Sequence, residues 1–480
     1  MSLRADIYDN ALAAIFMINA GRLDIAKKIC DTFVLLVSLD QIGDGRLRAA
    51  YSVNNPINRE FVNNQYITYG PNVVDTSITT GSMAYLVIAL TRFYVHTKDY
   101  KYLKTAIKVA SHINNNLKYD SEYGGFTGGY TQSSLTDVPL TWRSVEHNIA
   151  VWGAARMLFG LTSDVTWSDM MTSSQTYVQK CFNSNEGVYN VGSQPSVPPV
   201  DTDKTDFITA DAQTLSALSG IDQDDTRRKS SLDYVMNNLF KTESQVDDVT
   251  GNTINYDGIL YSNQGSSIQF EQVAIAAMAY QSMGQQLSST DSDTSNKYLD
   301  MAKKLTLSIL NNQQYALNGD GQGIVVSINQ NGAKVWNGDD LKGESWTYYP
   351  VLHTASSAWA GLAMYHVLMN DPFASPFSEY YKKDEITKFS TSVLATNTFT
   401  GYTTLVEDHS VYVIGTTSLV LTCVVAFFFV LGFVLMAVVN VKLIRRYYRI
   451  VIGEEMEKNL QLDVVRGLRT PDTPVSPMST

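Results

Sequence analysis

Apolar positions along the first 400 residues alternate between two patterns. Ala26, Ile29, Cys30, Phe33, Val34 and Val37 follow i, i+3, i+4, i+7 spacing, so 22–38 reads as an amphipathic helix. The stretch before it, 8–20 (YDNALAAIFMINA), is apolar on more than one side, as expected of a helix held between two layers. The pairing then recurs: 76–96 with 99–117, 145–160 with 166–181, 210–220 with 226–240, 269–284 with 294–311, and 355–369 with about 380–395. The amphipathic members share wording: DIAKKI at 24–29, YLKTAI at 102–107 and YLDMAKKL at 298–305. Gly- and Tyr-rich stretches between pairs (DGRLRAAYS, YGGFTGGY, EGVYNVG, YDGILYS, GDGQGIVVS) read as turns and short strands. Six such hairpins, apolar members inside and amphipathic ones outside, predict an all-α fold: an (α/α)6 toroid forming one domain over 1–400. An open solenoid would show shorter, more regular repeats and distinct caps.

One stretch departs from this pattern. Val411 to Val441 carries no formal charge and is densely apolar from Ser418 on, which predicts a transmembrane helix over 411–441 after a linker at 401–410. Lys442, Arg445, Arg446 and Arg449 follow it, so the positive-inside rule sets the 442–480 tail in the cytosol and the body outside or in a lumen. The expected protein is therefore a single-pass membrane protein touching the lipid bilayer through 411–441. Thr470, Thr473 and Ser476 each precede proline in a polar tail, which makes a cytosolic kinase or adaptor a candidate partner there.

Charge narrows the function. Lys and Arg number 36 against 47 Asp and Glu, a net charge of −11, with no basic run interleaved with aromatics, so nucleic acid is not an expected partner. Cys30, Cys181 and Cys423 lie too far apart for a disulfide framework or a spaced zinc site, and no cofactor motif is present. Asp222-Gln-Asp224-Asp225 matches the DxDD pattern of isoprenoid cyclases, yet it sits in a polar connection before Thr226, Arg227 and Arg228 and reads as a solvated helix start. The stretch 318–323 imitates a calcium loop, but Asn329 stands where the bidentate Glu belongs.

Acidic residues fall near successive inner-helix starts: Asp9, Asp75, Glu146, Asp211 and Glu271. The sixth start, around Thr354, carries Ser356, Ser357 and Trp359 instead. Helix capping and the helix dipole account for an acid in a first turn, and suffice for Asp9 and Asp75. Glu146 and Glu271 lie just inside apolar helices whose caps are supplied by Ser144 and by Ser266 with Gln269, so a wet cavity is expected to face them. Trp142, Trp346 and Trp359 stand near the same mouth as stacking surfaces for sugar rings, and His147, Asn148, Gln213 and Gln272 as partners for hydroxyls. The expected ligand is an oligo- or polysaccharide. Glycosidic hydrolysis needs a protonated carboxyl and a carboxylate. Those roles fall to Glu146 as acid, with Asp211 or Glu271 as its partner, while Asp9 and Asp75 position substrate. A non-catalytic glycan-binding or adhesion protein is the main alternative; a polysaccharide lyase and a cyclase are others.

The segments IYDNALAAIFMINAGRLDIAKKI, EHNIAVWGAARML, TADAQTLSAL, FEQVAIAAMAYQ and HTASSAWAGLAMYHVLMNDPF resemble the six-hairpin glycosidase superfamily over about residues 5–377. In particular they are similar to bacterial toroid proteins with a Tyr-Asp opening, a Glu-His-Asn helix and an Asp-Ala-Gln helix. The resemblance implies a carbohydrate site at the toroid mouth containing Asp9, Glu146, His147, Asn148, Asp211, Gln213 and Glu271. The superfamily includes hydrolases, phosphorolytic enzymes, lyases and epimerases. This chain departs from it at Gln272, where those relatives have Gly.

Overall fold

The computed structural model describes residues 4–380, apart from breaks at 54–55, 63–64, 121, 134–135, 196–200, 204, 248–250 and 335–346, together with two strands, Thr403–Glu407 and Ser410–Ile414. Eleven helices carry the first unit: α1 (Ile7–Asn19), α2 (Leu23–Leu39), α3 (Thr80–Thr97), α4 (Tyr100–Asn116), α5 (Val145–Thr162), α6 (Val165–Lys180), α7 (Ala210–Ser219), α8 (Asp225–Tyr234), α9 (Phe270–Leu287), α10 (Ser292–Tyr315) and α11 (Thr354–Leu368). The odd-numbered helices contact one another in sequence, and α11 packs back against α1, closing a ring. The even-numbered helices pack outside them. This is the expected toroid, with five complete hairpins and the sixth inner helix; the outer helix expected near 380–395 lies outside the described residues.

The two hydropathy patterns correspond to the two layers. All ten residues of α7 are buried, whereas α10 buries a stripe of Ser295, Tyr298, Ala302, Leu305, Thr306, Ser308, Ile309 and Asn312 and leaves its other residues half-buried or exposed. Connections from inner to outer helices are tight. Lys98 and Ser163 close α3 and α5 with left-handed φ values of 55° and 57°, and Gly220 does the same for α7. Four of the five described outer helices then begin on aspartates: the carboxylates of Asp99, Asp164, Asp224 and Asp291 accept first-turn backbone N–H groups. The DxDD segment is therefore a helix cap at this end, with buried Asp222 held by Tyr189 Oη and Arg227. Asp320 likewise accepts the backbone N–H groups of Gln322 and Gly323 and closes a turn.

Connections from outer to inner helices are long, and each carries an antiparallel β-hairpin: Ile57–Val62 with Gln65–Pro71, Gly129–Ser133 with Thr136–Leu140, Gly192–Pro195 with Asp201–Asp203, Phe240–Val246 with Thr253–Ile259, and Ala333–Lys334 with Thr347–Tyr348. These crown the end where the inner helices start. The opposite end is closed by the chain after α11. Fully buried Arg92 donates to the Phe373 and Ser375 carbonyls and to Ser378 Oγ, and its guanidinium lies 4.6 Å from the Tyr380 ring centre. Phe377 enters the ring interior below Tyr85, centroid to centroid 6.2 Å.

The membrane-protein expectation is corrected. Among the described residues no helix is long and apolar enough to cross a membrane. Where a helix was expected from 411, Ser410–Ile414 instead pairs as an antiparallel strand with Thr403–Glu407, in a second unit, Asp384–Thr480. β-Branched residues there (Val406, Val411, Val413, Ile414) suit an extended backbone. Residues 415–441 and the tail lie outside the described residues, so the single-pass anchor and the cytosolic partner are not carried forward.

Candidate active site

The second residues of the inner helices stand at the crowned end of the ring. In chain order these are Tyr8, Gly81, Glu146, Asp211, Glu271 and Ala355. The first five line a cavity of about 400 Å³, together with Arg4, Asp6, Asp9, Trp142, His147, Phe207, Tyr261, Gln272, Tyr348 and His353. Two positions earlier stand the N-caps Asp6, Thr79, Ser144, Thr209, Gln269 and His353. Helix geometry thus stacks one ring of caps and one ring of side chains at a common level. Acids there also lie at the positive end of their helix dipoles.

Glu271 is held from two neighbouring inner helices. Tyr8 Oη donates to its Oε1 at 2.6 Å, and Trp359 Nε1 donates to Tyr8 Oη at 3.1 Å. Burial pushes its pKa up to about 7, the Asp211 charge adds to the rise, and the Tyr8 and Gln269 hydrogen bonds oppose it. Asp9 is pushed up to about 6, again chiefly by burial, with His353 opposing and the Glu271 and Asp6 charges adding. His353 stands between the two acids, Nε2 3.8 Å from Asp9 Oδ2 and Nδ1 4.0 Å from Glu271 Oε2, while its Nδ1 pairs with Ser356 Oγ at 2.9 Å. Burial and the neighbouring Glu271 hold the Tyr8 phenol protonated, its pKa raised well above the ordinary value.

Of the expected site residues, Glu146, Asp211, Glu271, Asp9, Trp142, His147 and Gln272 converge on this cavity. Four others do not line it. Asp75 ends a strand before α3, accepts from Ser77 and pairs with Arg4 at 3.0 Å, so it steadies a wall residue rather than a ligand. Asn148 is fully buried and clamps one peptide: its Oδ1 accepts from Phe126 N at 2.8 Å and its Nδ2 donates to Phe126 O. Gln213 clamps Tyr189 in the same way, at 2.8 and 2.7 Å. Trp359 is buried beneath Tyr8 and Tyr85 and acts through Tyr8. Trp346 lies outside the described residues. Sequence reasoning passed over Tyr8 and His353; the signal for His353 was its position immediately before an inner helix, the place Ser144 holds for α5.

The described wall can supply what sugar chemistry needs. Trp142, Phe207, Tyr261 and Tyr348 present aromatic faces, Phe207 and Tyr261 with ring centres 6.4 Å apart. Gly81 has space for no side chain, since a Cβ there would lie 2.5 Å from His147 Cδ2. Among the described residues no group of three or more His, Cys, Asp or Glu is arranged to hold a metal ion.

No protein-family model matches the chain, and its sequence matches no curated protein. Solved structures do match in fold. A cellobiose 2-epimerase from Spirochaeta thermophila is 11% identical, with 77% of this chain and 87% of that one covered at a TM-score of 0.51. A sugar epimerase from a ruminal bacterium is 13% identical over 76% and 88%, TM-score 0.50. An alpha-1,6-mannanase of glycoside hydrolase family 76 from a Salegentibacter species is 10% identical over 76% and 90%, TM-score 0.47. The chain thus shares its toroid fold with the two epimerase structures.

Proposed function

We propose that the protein is a carbohydrate-active enzyme that hydrolyses glycosidic bonds at the crowned end of the toroid. The observation that carries this reading is a buried carboxyl, Glu271, pushed up to about 7 in the same cavity as Asp211, Glu146 and Asp9. Two carboxyls whose surroundings drive their acidities apart divide into acid and base. Glu271 holds its proton near neutrality and is the general acid; this moves the acid role from Glu146, which the sequence favoured. Glu271 gives its proton to the glycosidic oxygen as the C–O bond breaks. Asp211, whose negative charge helps keep that proton on Glu271, takes a proton from the water that bonds to the anomeric carbon. Glu146 and Asp9 bind sugar hydroxyls, and the aromatic wall stacks on the C–H faces of the ring.

The test is a screen of the full chain against oligosaccharides of varied sugar and linkage, followed by Asp211→Asn on any substrate found. Loss of turnover with binding retained supports the reading. Glycan binding without turnover in the unsubstituted chain would instead identify a lectin-like protein.

A further inference from the structure

Among the described residues, the cavity wall holds five carboxyl groups, those of Asp6, Asp9, Glu146, Asp211 and Glu271, against one permanent cation, Arg4. That guanidinium is already engaged. Its Nη2 lies 2.7 Å from Asp6 Oδ1 and 3.0 Å from Asp75 Oδ2, and its Nε donates to both Asp6 oxygens. A sugar carboxylate or sulfate is best bound by a free guanidinium fork. The described wall offers none, and an anion entering would meet like charges in a partly desolvated space, where repulsion is strong.

A second feature bears on what does bind. Gln272 is 3% exposed, lines the cavity, and its side-chain Oε1 is buried with no hydrogen-bond partner. A buried acceptor left unmatched is costly, and a ligand that donates to it removes that cost. Gln272 sits in the first turn of α9, where its backbone N–H is tied to Gln269 Oε1 at 2.9 Å.

We propose that Gln272 and the acidic wall make this a site for uncharged or amino-bearing sugars, with an O–H or N–H of the sugar donating to Gln272 Oε1, and that sugars carrying carboxylate or sulfate are excluded. This rests on the reading of the cavity as a carbohydrate site. It concerns selection rather than chemistry: which sugar enters is set by the sign of the wall and by one unmatched acceptor.

A glycan panel presenting hexose, hexosamine and hexuronate oligosaccharides in matched linkages tests it, with affinities measured on the full chain. Hexose or hexosamine glycans are expected to bind, and the uronate counterpart of each binder to be at least tenfold weaker. Gln272→Met, which keeps the length and removes the acceptor, is expected to weaken the best binder about tenfold while the melting temperature of the unliganded chain is unchanged or raised, since the unmatched acceptor is gone. A uronate bound as tightly as its neutral counterpart overturns the charge selection while leaving the carbohydrate site standing. Undiminished binding by Gln272→Met overturns the role of the acceptor. Failure of every glycan in the panel to bind overturns both this inference and the functional reading beneath it.

Discussion

At the scale of single residues, Glu271 couples chemistry to stability. Its carboxyl stays protonated to about pH 7 in the folded chain against 4.5 as its ordinary value. The folded state therefore binds more protons between those values, and stability falls as pH rises through 7. A rise of that size corresponds to something on the order of 3 kcal/mol. Glu271→Gln, which still accepts from Tyr8, is expected to stabilise the protein by up to about that amount at pH 8 and hardly at all at pH 4, read by chemical denaturation at both. The same substitution should lower turnover by about 10²–10⁴-fold. On the proposed reading, turnover by the unsubstituted chain should decline as pH climbs past about 7, as Glu271 loses its proton. A variant with full turnover, or one equally affected at both pH values, would sink the assignment. His353→Ala removes the neighbour that holds the Asp9 carboxyl down, so Asp9 should titrate above its present value of about 6, observable by carboxyl NMR.

Elements explain which signals in the chain were legible. The inner helices and their amphipathic partners follow from periodicity, because burial on all sides and burial on one side leave different hydropathy patterns. The level of Glu146, Asp211 and Glu271 was also readable, since each stands at the second position of an apolar helix. Asn148 and Gln213 were misread because a polar residue one turn into such a helix looks the same whether it meets a sugar or a peptide. Only the fold shows that each reaches a preceding loop, Asn148 to Phe126 and Gln213 to Tyr189. Asn148→Leu should strand the N–H and C=O of Phe126 in the core, each worth about 1–3 kcal/mol. The expected result is a urea midpoint lowered by an equivalent of about 2–4 kcal/mol, and an unchanged midpoint would count against the clamp. Gly81→Ala drives a methyl into the His147 ring and should cost about 1–3 kcal/mol together with activity. His353 escaped notice because a histidine cap has no distinctive spacing, and Asp75 drew attention because the distance from a strand end to a helix start cannot be read from composition.

For the whole molecule, short connections at one end and long hairpin-bearing ones at the other separate stability from recognition. The closed end is held by Arg92 across Phe373, Ser375 and Ser378. Arg92→Leu removes charged donors from buried carbonyls and is expected to cost about 3 kcal/mol in urea denaturation while leaving the titration of Glu271 unmoved. A shift in that titration would mean that the two ends are not independent. The ring is completed by contacts between residues remote in sequence: Tyr8 bonds Glu271 across 263 positions and Trp359 across 351. A ribosome-bound chain that has emerged only as far as α9 thus has its carboxyls but neither His353 nor the tryptophan that anchors Tyr8. Such a nascent polypeptide has no finished pocket, and competence arrives only when the last inner helix emerges and meets the first.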